Sequence, residues 1–295
     1  MTDLPEGNPM HAACPLCGGA ELEDRYDIRG FTLARCAACT LLFVKNRCDD
    51  AYLSRYYRQA ASAVGHERVY VADANKRFLD FAYSRLARRI KKILGPGPRR
   101  LLDLGCSAGG FFDHFPGWDL YGVELSERDG RSAREKYPNV FIGDMRAAPF
   151  ERGFFDCVVL QDSLDHSNDP LGVVRHVHGL LKPGGLIVIK VHNVSCWLAK
   201  LSGRRFYAFL PPGHLFYFDL ATLKRLLDAC GFSYGRHYFN THKLQTGIAF
   251  MRMSQDDPDS WFYKISMKLA SSPLGRIPVY KNLHDLITVF GVKRN

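Results

Sequence analysis

The chain has 295 residues, 46% hydrophobic and 24% charged, a globular composition that excludes a disordered chain, a disulfide miniprotein and a coiled coil. Lys and Arg outnumber Asp and Glu by 40 to 30, which favours anionic partners without specifying one. No run reaches eighteen uninterrupted apolar residues, and Met1-Thr2-Asp3-Leu4-Pro5-Glu6 lacks the basic and apolar parts of a secretory signal. A spanning helix and export are therefore not expected, and a cytoplasmic location is.

Residues 1–50 form the first zone. Cys14-Pro15-Leu16-Cys17 and Cys36-Ala37-Ala38-Cys39 are two C-x2-C pairs separated by 18 residues, inside the spacing window of structural zinc. Four thiolates close a tetrahedral site and leave no position for water, so Cys14, Cys17, Cys36 and Cys39 are expected to hold a structural Zn2+ in a small zinc ribbon. Phe31, Leu41 and Phe43 supply a minimal core for it. Cys48, Cys106, Cys157, Cys196 and Cys230 show no such pairing and read as buried small hydrophobes.

From residue 51 to about 95 the pattern turns helical, with Phe78, Phe81, Leu86, Ile90 and Ile93 on one face and Arg85, Arg88, Arg89, Lys91 and Lys92 on the other. Tyr52, Tyr56 and Tyr57 lie at its start, where they can cover a ligand or simply pack. Gly95-Pro96-Gly97-Pro98 breaks the helix.

The rest, residues 96–295, alternates apolar runs with amphipathic stretches, as a parallel sheet with crossover helices does. Strands are expected at 100–104, 118–124, 139–142, 155–160, 185–191, 232–238 and 286–293, enough for a doubly wound seven-stranded α/β domain of Rossmann-like form. Helices are expected over 170–181 and 220–230, with a turn at Lys182-Pro183-Gly184-Gly185. An aromatic insertion, 192–218, lies where such folds keep substrates. The aromatic and basic stretch Trp261 to Leu269 reads as part of a lid helix over about 258–272, with peripheral membrane contact as the other reading.

Asp103-Leu104-Gly105-Cys106-Ser107-Ala108-Gly109 leads out of the first of these strands through small residues. Gly105 and Gly109 let the backbone turn sharply and approach a ligand. The register is D-x-G-x-x-x-G, so neither a dinucleotide fingerprint nor a P-loop is complete. About twenty residues on, Glu124 ends the second strand, where a carboxylate can accept both ribose hydroxyls. Asp144 follows the third strand and can accept from an adenine amino group, with Met145 beside the ring.

Asp103-Leu104-Gly105-Cys106, Gly122-Val123-Glu124, Gly143-Asp144, Phe155-Asp156-Cys157-Val158-Val159-Leu160 and Leu181-Lys182-Pro183-Gly184-Gly185 occur in the order and spacing of class I S-adenosylmethionine-dependent methyltransferases, which the chain resembles over about residues 75–293. The resemblance implies that S-adenosylmethionine is the cofactor. Gly105, Cys106, Ser107 and Gly109 would line its methionine part, Glu124 would hold the ribose, Asp144 would meet the adenine with Met145 covering the ring, and Gln161 would lie near the sulfonium; Asp103 and Leu125 are further cofactor-binding candidates. Ser107 stands where many relatives have glycine.

Methyl transfer needs an aligned acceptor and, where the acceptor carries a proton, a base. The candidates are His166, in Gln161-Asp162-Ser163-Leu164-Asp165-His166, and His214, between Pro211-Pro212-Gly213 and Phe216-Tyr217-Phe218. The zinc module, this core and the His214-Leu215-Phe216-Tyr217-Phe218 segment together resemble bacterial methyltransferases acting on sugars, nucleotide-sugars, surface glycans and secondary metabolites. In the sugar C-methyltransferases the histidine matching His214 serves as base and is preceded by a glutamate, where this chain has Gly213. The expected acceptor is thus a small molecule or glycoside. The rivals are a zinc-ribbon RNA methyltransferase, against which the fourth strand lacks the Asn/Asp-Pro-Pro-aromatic motif, and a non-catalytic binding protein on the cofactor fold.

Overall fold

The computed structural model describes residues 9–49, 51–53, 55–56, 67–246 and 261–294. Tyr57, and residues 58–66 and 258–260 of the expected helices, lie outside these, as do the side chains of Phe78 and Phe262.

The N-terminal strands are β1 (Leu22–Ile28), β2 (Phe31–Cys36) and β3 (Leu42–Val44), paired antiparallel. Helix α1 (Glu67–Leu94) buries Leu86, Ala87 and Ile90 on one side and carries Lys91 and Lys92 in its last turn, where cations complement the helix dipole. It ends as Gly95, at φ +76°, donates its N–H to the Lys91 carbonyl at 3.0 Å.

The main sheet is built from β4 (Arg100–Leu104), β5 (Asp119–Glu124), β6 (Val140–Ile142), β7 (Phe155–Gln161), β8 (Leu181–His192), β10 (Phe232–Phe239) and β13 (Leu286–Lys293), in the spatial order β10-β13-β8-β7-β4-β5-β6. Strands β8 to β6 run parallel, and β13 is antiparallel to both its neighbours. All seven expected strands are present. Cys157 to Leu160 and Leu186 to Ile189 are almost wholly buried, as continuous apolar runs must be when both faces of a sheet are covered. Strand β8 starts four residues earlier than expected because Leu181 pairs with Phe155, and the Lys182–Gly185 turn sits inside the strand as a register shift with Gly184 at φ +71°.

Helices connect the strands from β5 onward. Helix α2 (Glu127–Arg134) is capped by Ser126, and α3 (Pro170–Leu180) by Asp169, which accepts the Gly172 N–H at 2.8 Å, with Pro170 in its first turn. The insertion carries the short α4 (Trp197–Ser202) and β9 (Phe216–Tyr217). Helix α5 (Leu220–Ala229) begins with a capping box between Asp219 and Thr222. Beyond β10, β11 (His242–Gln245) pairs with β12 (Pro278–Lys281), and α6 (Trp261–Ser271) lies between them in sequence.

The aromatic insertion does more than overhang the sheet. Its β9 pairs with β3, making a four-stranded sheet β1-β2-β3-β9. Phe31, Leu41 and Phe43 are buried, but in a core shared with Phe209, Leu215, Phe216 and the α3 and α5 side chains. The Phe43 and Phe216 rings stack at 6.3 Å, and Tyr26 meets Phe209 at 5.5 Å. Some fifty residues bury too little surface to stand alone, so the N-terminal strands complete their core with residues from further along the chain.

Candidate functional site

The C-terminal ends of β4, β5, β6 and β7 meet where strand order reverses, between β4 and β7. In a doubly wound sheet that is where a ligand crevice forms. After β4 the backbone takes left-handed conformations at Gly105 (φ +88°), Ser107 (φ +49°) and Gly109 (φ +78°). The Gly105 and Cys106 N–H groups both donate to the Val123 carbonyl, at 2.8 and 3.1 Å, which ties the loop to β5. A Cβ on Gly105 would stand 3.1 Å from Ser163 Cβ, so the missing side chain keeps the crevice between the β4 and β7 loops open. Gly122 is equally constrained: a Cβ there would meet Cys106 Sγ at 2.6 Å.

Glu124 spans this loop and the next helix. Its Oε2 accepts the Ser107 N–H and its Oε1 the Ser126 N–H, both at 2.8 Å. Beneath the loop lies Asp103, 2% exposed, whose Oδ1 has no hydrogen-bond partner. Burial, then the charge of Glu124, pushes the Asp103 carboxyl well above the ordinary carboxylate range, with Lys190 opposing. Lys190, itself buried, forms an ion pair with Asp162, a residue held at φ +50°. Asp144 and Met145 follow β6. The Asp144 carboxylate binds Arg146 through its main-chain N–H (2.7 Å) and its guanidinium Nε (3.0 Å) and Nη2 (2.6 Å), and this pairing lowers its pKa. Leu125 is exposed, Met145 half-buried, and Gln161 half-buried at the end of β7.

These features fit S-adenosylmethionine. A glycine cradle gives close backbone approach, an orphaned buried acceptor at Asp103 suits an ammonium group, and a carboxylate at the tip of β5 suits vicinal hydroxyls. When bound, the cofactor supplies an electrophilic methyl group, and the chain's own task is to orient it and the acceptor.

One turn beyond Ser163, a second group of side chains converges. Asp165 and His166 follow β7, His192 ends β8, and His214 comes from the insertion. Asp165, 1% exposed, places Oδ2 3.5 Å from His192 Nδ1 and Oδ1 3.9 Å from His166 Nε2. The His214 ring lies 4.7 Å from the His166 ring and 4.9 Å from the His192 ring, centre to centre. The Ala208 carbonyl lies 2.9 Å from His214 Nδ1, and the Leu215 N–H donates to the Asp165 carbonyl at 2.8 Å, so the insertion is fastened to the β7 loop. Burial works to raise the Asp165 carboxyl, but the imidazoles around it outweigh burial and bring it down. Burial lowers the His214 pKa, Asp165 opposes, and the neighbouring His192 and His166 add to the lowering.

The two candidate bases legible in the sequence, His166 and His214, are thus in ring contact. Asp165 and His192 join them without having stood out in the sequence, and Lys190, two residues before His192, pairs with Asp162 instead. The signal for His192 was its place beside Lys190 at alternate positions of an otherwise apolar strand end, both directed by the pleat to one face.

At the N-terminus, the sulfurs of Cys14, Cys17, Cys36 and Cys39 lie within 4.8 Å of one another, with Cys14–Cys39 at 3.5 Å and Cys17–Cys36 at 3.6 Å. In each pair the residue after the second cysteine closes the same tight backbone turn: Gly18 donates to the Cys14 carbonyl and Thr40 to the Cys36 carbonyl, each at 2.9 Å, at φ +73° and +67°. The spacing fits a tetrahedral zinc ion, whose ~2.3 Å bonds to sulfur set sulfurs about 3.8 Å apart.

Residues 76–235, more than half of the chain, match the family described as "Methyltransferase domain". Among curated proteins, the ubiquinone biosynthesis O-methyltransferase of Bordetella avium is 34% identical over 104 residues, covering 32% of this chain and 43% of that protein. The tRNA U34 carboxymethyltransferase of Geobacter sp. is 25% identical over 176 residues, covering 52% of this chain and 50% of that protein. The chain thus spans half or less of the length of these relatives. Among solved structures, a SAM-dependent methyltransferase from Thermotoga maritima superimposes with a TM-score of 0.52 at 18% identity, over 82% of this chain and 98% of that one. The YcgJ protein of Bacillus subtilis gives 0.51 at 19%, over 72% and 98%; both likenesses concern the fold. With that fold, the glycine cradle and the family match in agreement, the chain belongs to the methyltransferase domain family.

Proposed function

We propose that the protein is an S-adenosylmethionine-dependent enzyme that methylates a small-molecule or glycosidic acceptor. In this reading, the Gly105–Gly109 loop and Asp103 take the methionine end of the cofactor and Glu124 takes its ribose. Asp144, sharing its carboxylate with Arg146, and Met145 take the adenine, with Leu125 and Gln161 at the flanks. The acceptor enters over Asp165, His166, His192 and His214, and this wall relieves its nucleophile of a proton, with His214 and His166 as the candidate bases.

The observation that carries the reading is the depth of that wall. Asp165 is 1% exposed, and the Asp165, His192 and His166 side chains are 2%, 17% and 31% exposed, under an insertion bonded to the loop below it. A recess of this kind suits a compact group. We further propose that Cys14, Cys17, Cys36 and Cys39 hold a structural zinc ion in residues 1–50, that residues 51–95 form a helical cover, and that α6 acts as a lid on the domain from residue 96. The use of cysteine as paired metal-type thiols and buried small side chains supports a cytoplasmic enzyme.

The test is to incubate the protein with S-adenosylmethionine carrying an isotopically labelled methyl group and a fractionated cell extract. Label is expected in small-molecule or glycan fractions. Label confined to RNA would favour the tRNA-type chemistry named for one relative, and no label in any fraction would favour a binding protein.

A further inference from the structure

We infer that Asp165, His166 and His214 form a divalent transition-metal site at the acceptor end of the crevice, and that its substrate is an acceptor bearing a hydroxyl group. The inference rests on the placement of the acceptor proposed above and deepens it. One ligand atom from each of the three residues lies within 4.8 Å of the other two. Nitrogen, nitrogen and oxygen donors on one side of a recess, with the remaining positions open, are the donor set of a catalytic rather than a structural ion.

Two further observations point to a cation. The first is the Asp165 carboxylate: both oxygens are buried, neither makes a short hydrogen bond, and the long approach of His192 Nδ1 to Oδ2 is its nearest polar contact from a side chain. A buried carboxylate left so is costly. Its nearest imidazole nitrogens stand off at 3.5 and 3.9 Å, whereas charge-assisted bonds close to roughly 2.7–2.9 Å. His192 stands at the limit of a hydrogen bond and steadies the carboxylate from one side, while the wider gap to His166 leaves room for an ion. The second is His214. Its Nδ1 is engaged by the Ala208 carbonyl at 2.9 Å, so that nitrogen carries the hydrogen and Nε2 keeps its lone pair, the outer contact that orients metal-bound histidines. Bonds of about 2.1 Å require the three donors to close by roughly an ångström, a movement open to His166, whose side chain is 31% exposed.

The chemistry follows from the charge. An acceptor hydroxyl on the open positions is acidified by the cation. Its proton passes to His192 or to water, an O–C bond forms to the methyl carbon as the C–S bond breaks, and that electron pair returns to sulfur. His166 and His214 then act as ligands, and His192 is left as the proton acceptor.

The test uses Co2+ as probe, titrated into full-length protein stripped with chelator and followed by visible absorption, with S-adenosylmethionine affinity measured on the same samples by calorimetry. Wild type is expected to take up one Co2+ whose spectrum lacks thiolate charge-transfer bands, apart from any at the cysteines. His166→Ala, and separately Asp165→Asn, should abolish that equivalent and leave thiolate bands unchanged. A wild-type protein with no such Co2+, or one that survives in His166→Ala, overturns the site. Cofactor binding without this cation removes the metal and leaves the proposed function standing, whereas the cation without cofactor binding does the opposite. His166→Ala, partly exposed, serves if Asp165→Asn does not fold.

Discussion

The two clusters of metal-type side chains in this protein are built in opposite ways. At Cys14, Cys17, Cys36 and Cys39 the donors come in local pairs, each held by a knuckle whose hydrogen bonds close within four residues. At Asp165, His166, His192 and His214 the donors come from the ends of two strands and from an insertion, over about fifty residues. The first cluster offers four sulfur donors, enough to fill every direction of a tetrahedral ion with protein. The second leaves one side to the crevice. A closed site made of neighbours suits holding a fold together, and an open site made by tertiary assembly suits chemistry. The two are mechanically linked, because β9, which begins directly after Leu215, completes the sheet that carries the cysteines.

The largest effect that can break this comparison is expected at the cysteines. Cys36→Ser should lose zinc and unfold the β1-β2-β3 sheet, because ligand binding and folding of so small a module are one process. Hydrogen exchange should show loss of protection in residues 22–44 with smaller changes at β4 and β5. Equal protection in variant and wild type would remove the structural role of the cysteines.

Next is His214→Ala, expected to keep the fold and the cofactor affinity while turnover falls by about 10² to 10⁴, the range for losing help with the acceptor's proton, whether His214 takes it or holds the cation that acidifies it. Steady-state rates and calorimetry on one preparation separate the two quantities. If affinity falls together with turnover, His214 is supporting the crevice rather than the reaction.

Glu124→Ala should weaken S-adenosylmethionine binding by about 1–3 kcal/mol, through loss of a charged acceptor for the ribose hydroxyls. The same carboxylate holds the Ser107 and Ser126 N–H groups, so Glu124→Gln, which keeps one acceptor oxygen, should recover part of the loss. Unchanged affinity in Glu124→Ala would place the ribose elsewhere. The smallest effect is expected for Asp144→Ala, a few tenths to about 1 kcal/mol, since Arg146 already occupies that carboxylate and adenine retains its other contacts.

The contrast between the clusters also explains what could be read from sequence. Both cysteine pairs announce themselves through spacing, because the turn that closes each pair is a local structure. The seven strands were legible for a related reason: runs such as Phe155 to Leu160 and Leu186 to Val191 are largely apolar, which only a strand covered on both faces requires. The left-handed turn at Gly105 and the acidic strand ends Glu124 and Asp144 follow from local chemistry as well. His192 and Asp165 are different. Nothing near Asp165 in sequence signals that three imidazoles will surround it, since two of them arrive through β8 and the insertion. The pairing of β9 with β3 was equally hidden, because a two-residue strand has no periodicity. Nor could spacing show that Asp144 would close on Arg146, an interaction that depends on the turn after β6.

The most direct measurement is a structure of the protein with S-adenosylhomocysteine. The ribose hydroxyls are expected on Glu124, the amino-acid end over Asp103 and the Gly105–Gly109 loop, and the thioether sulfur facing the Asp165–His166 loop, so that a methyl group on it would point into the histidine recess. A ligand whose sulfur faces away from that recess, or whose ribose avoids Glu124, would contradict this arrangement.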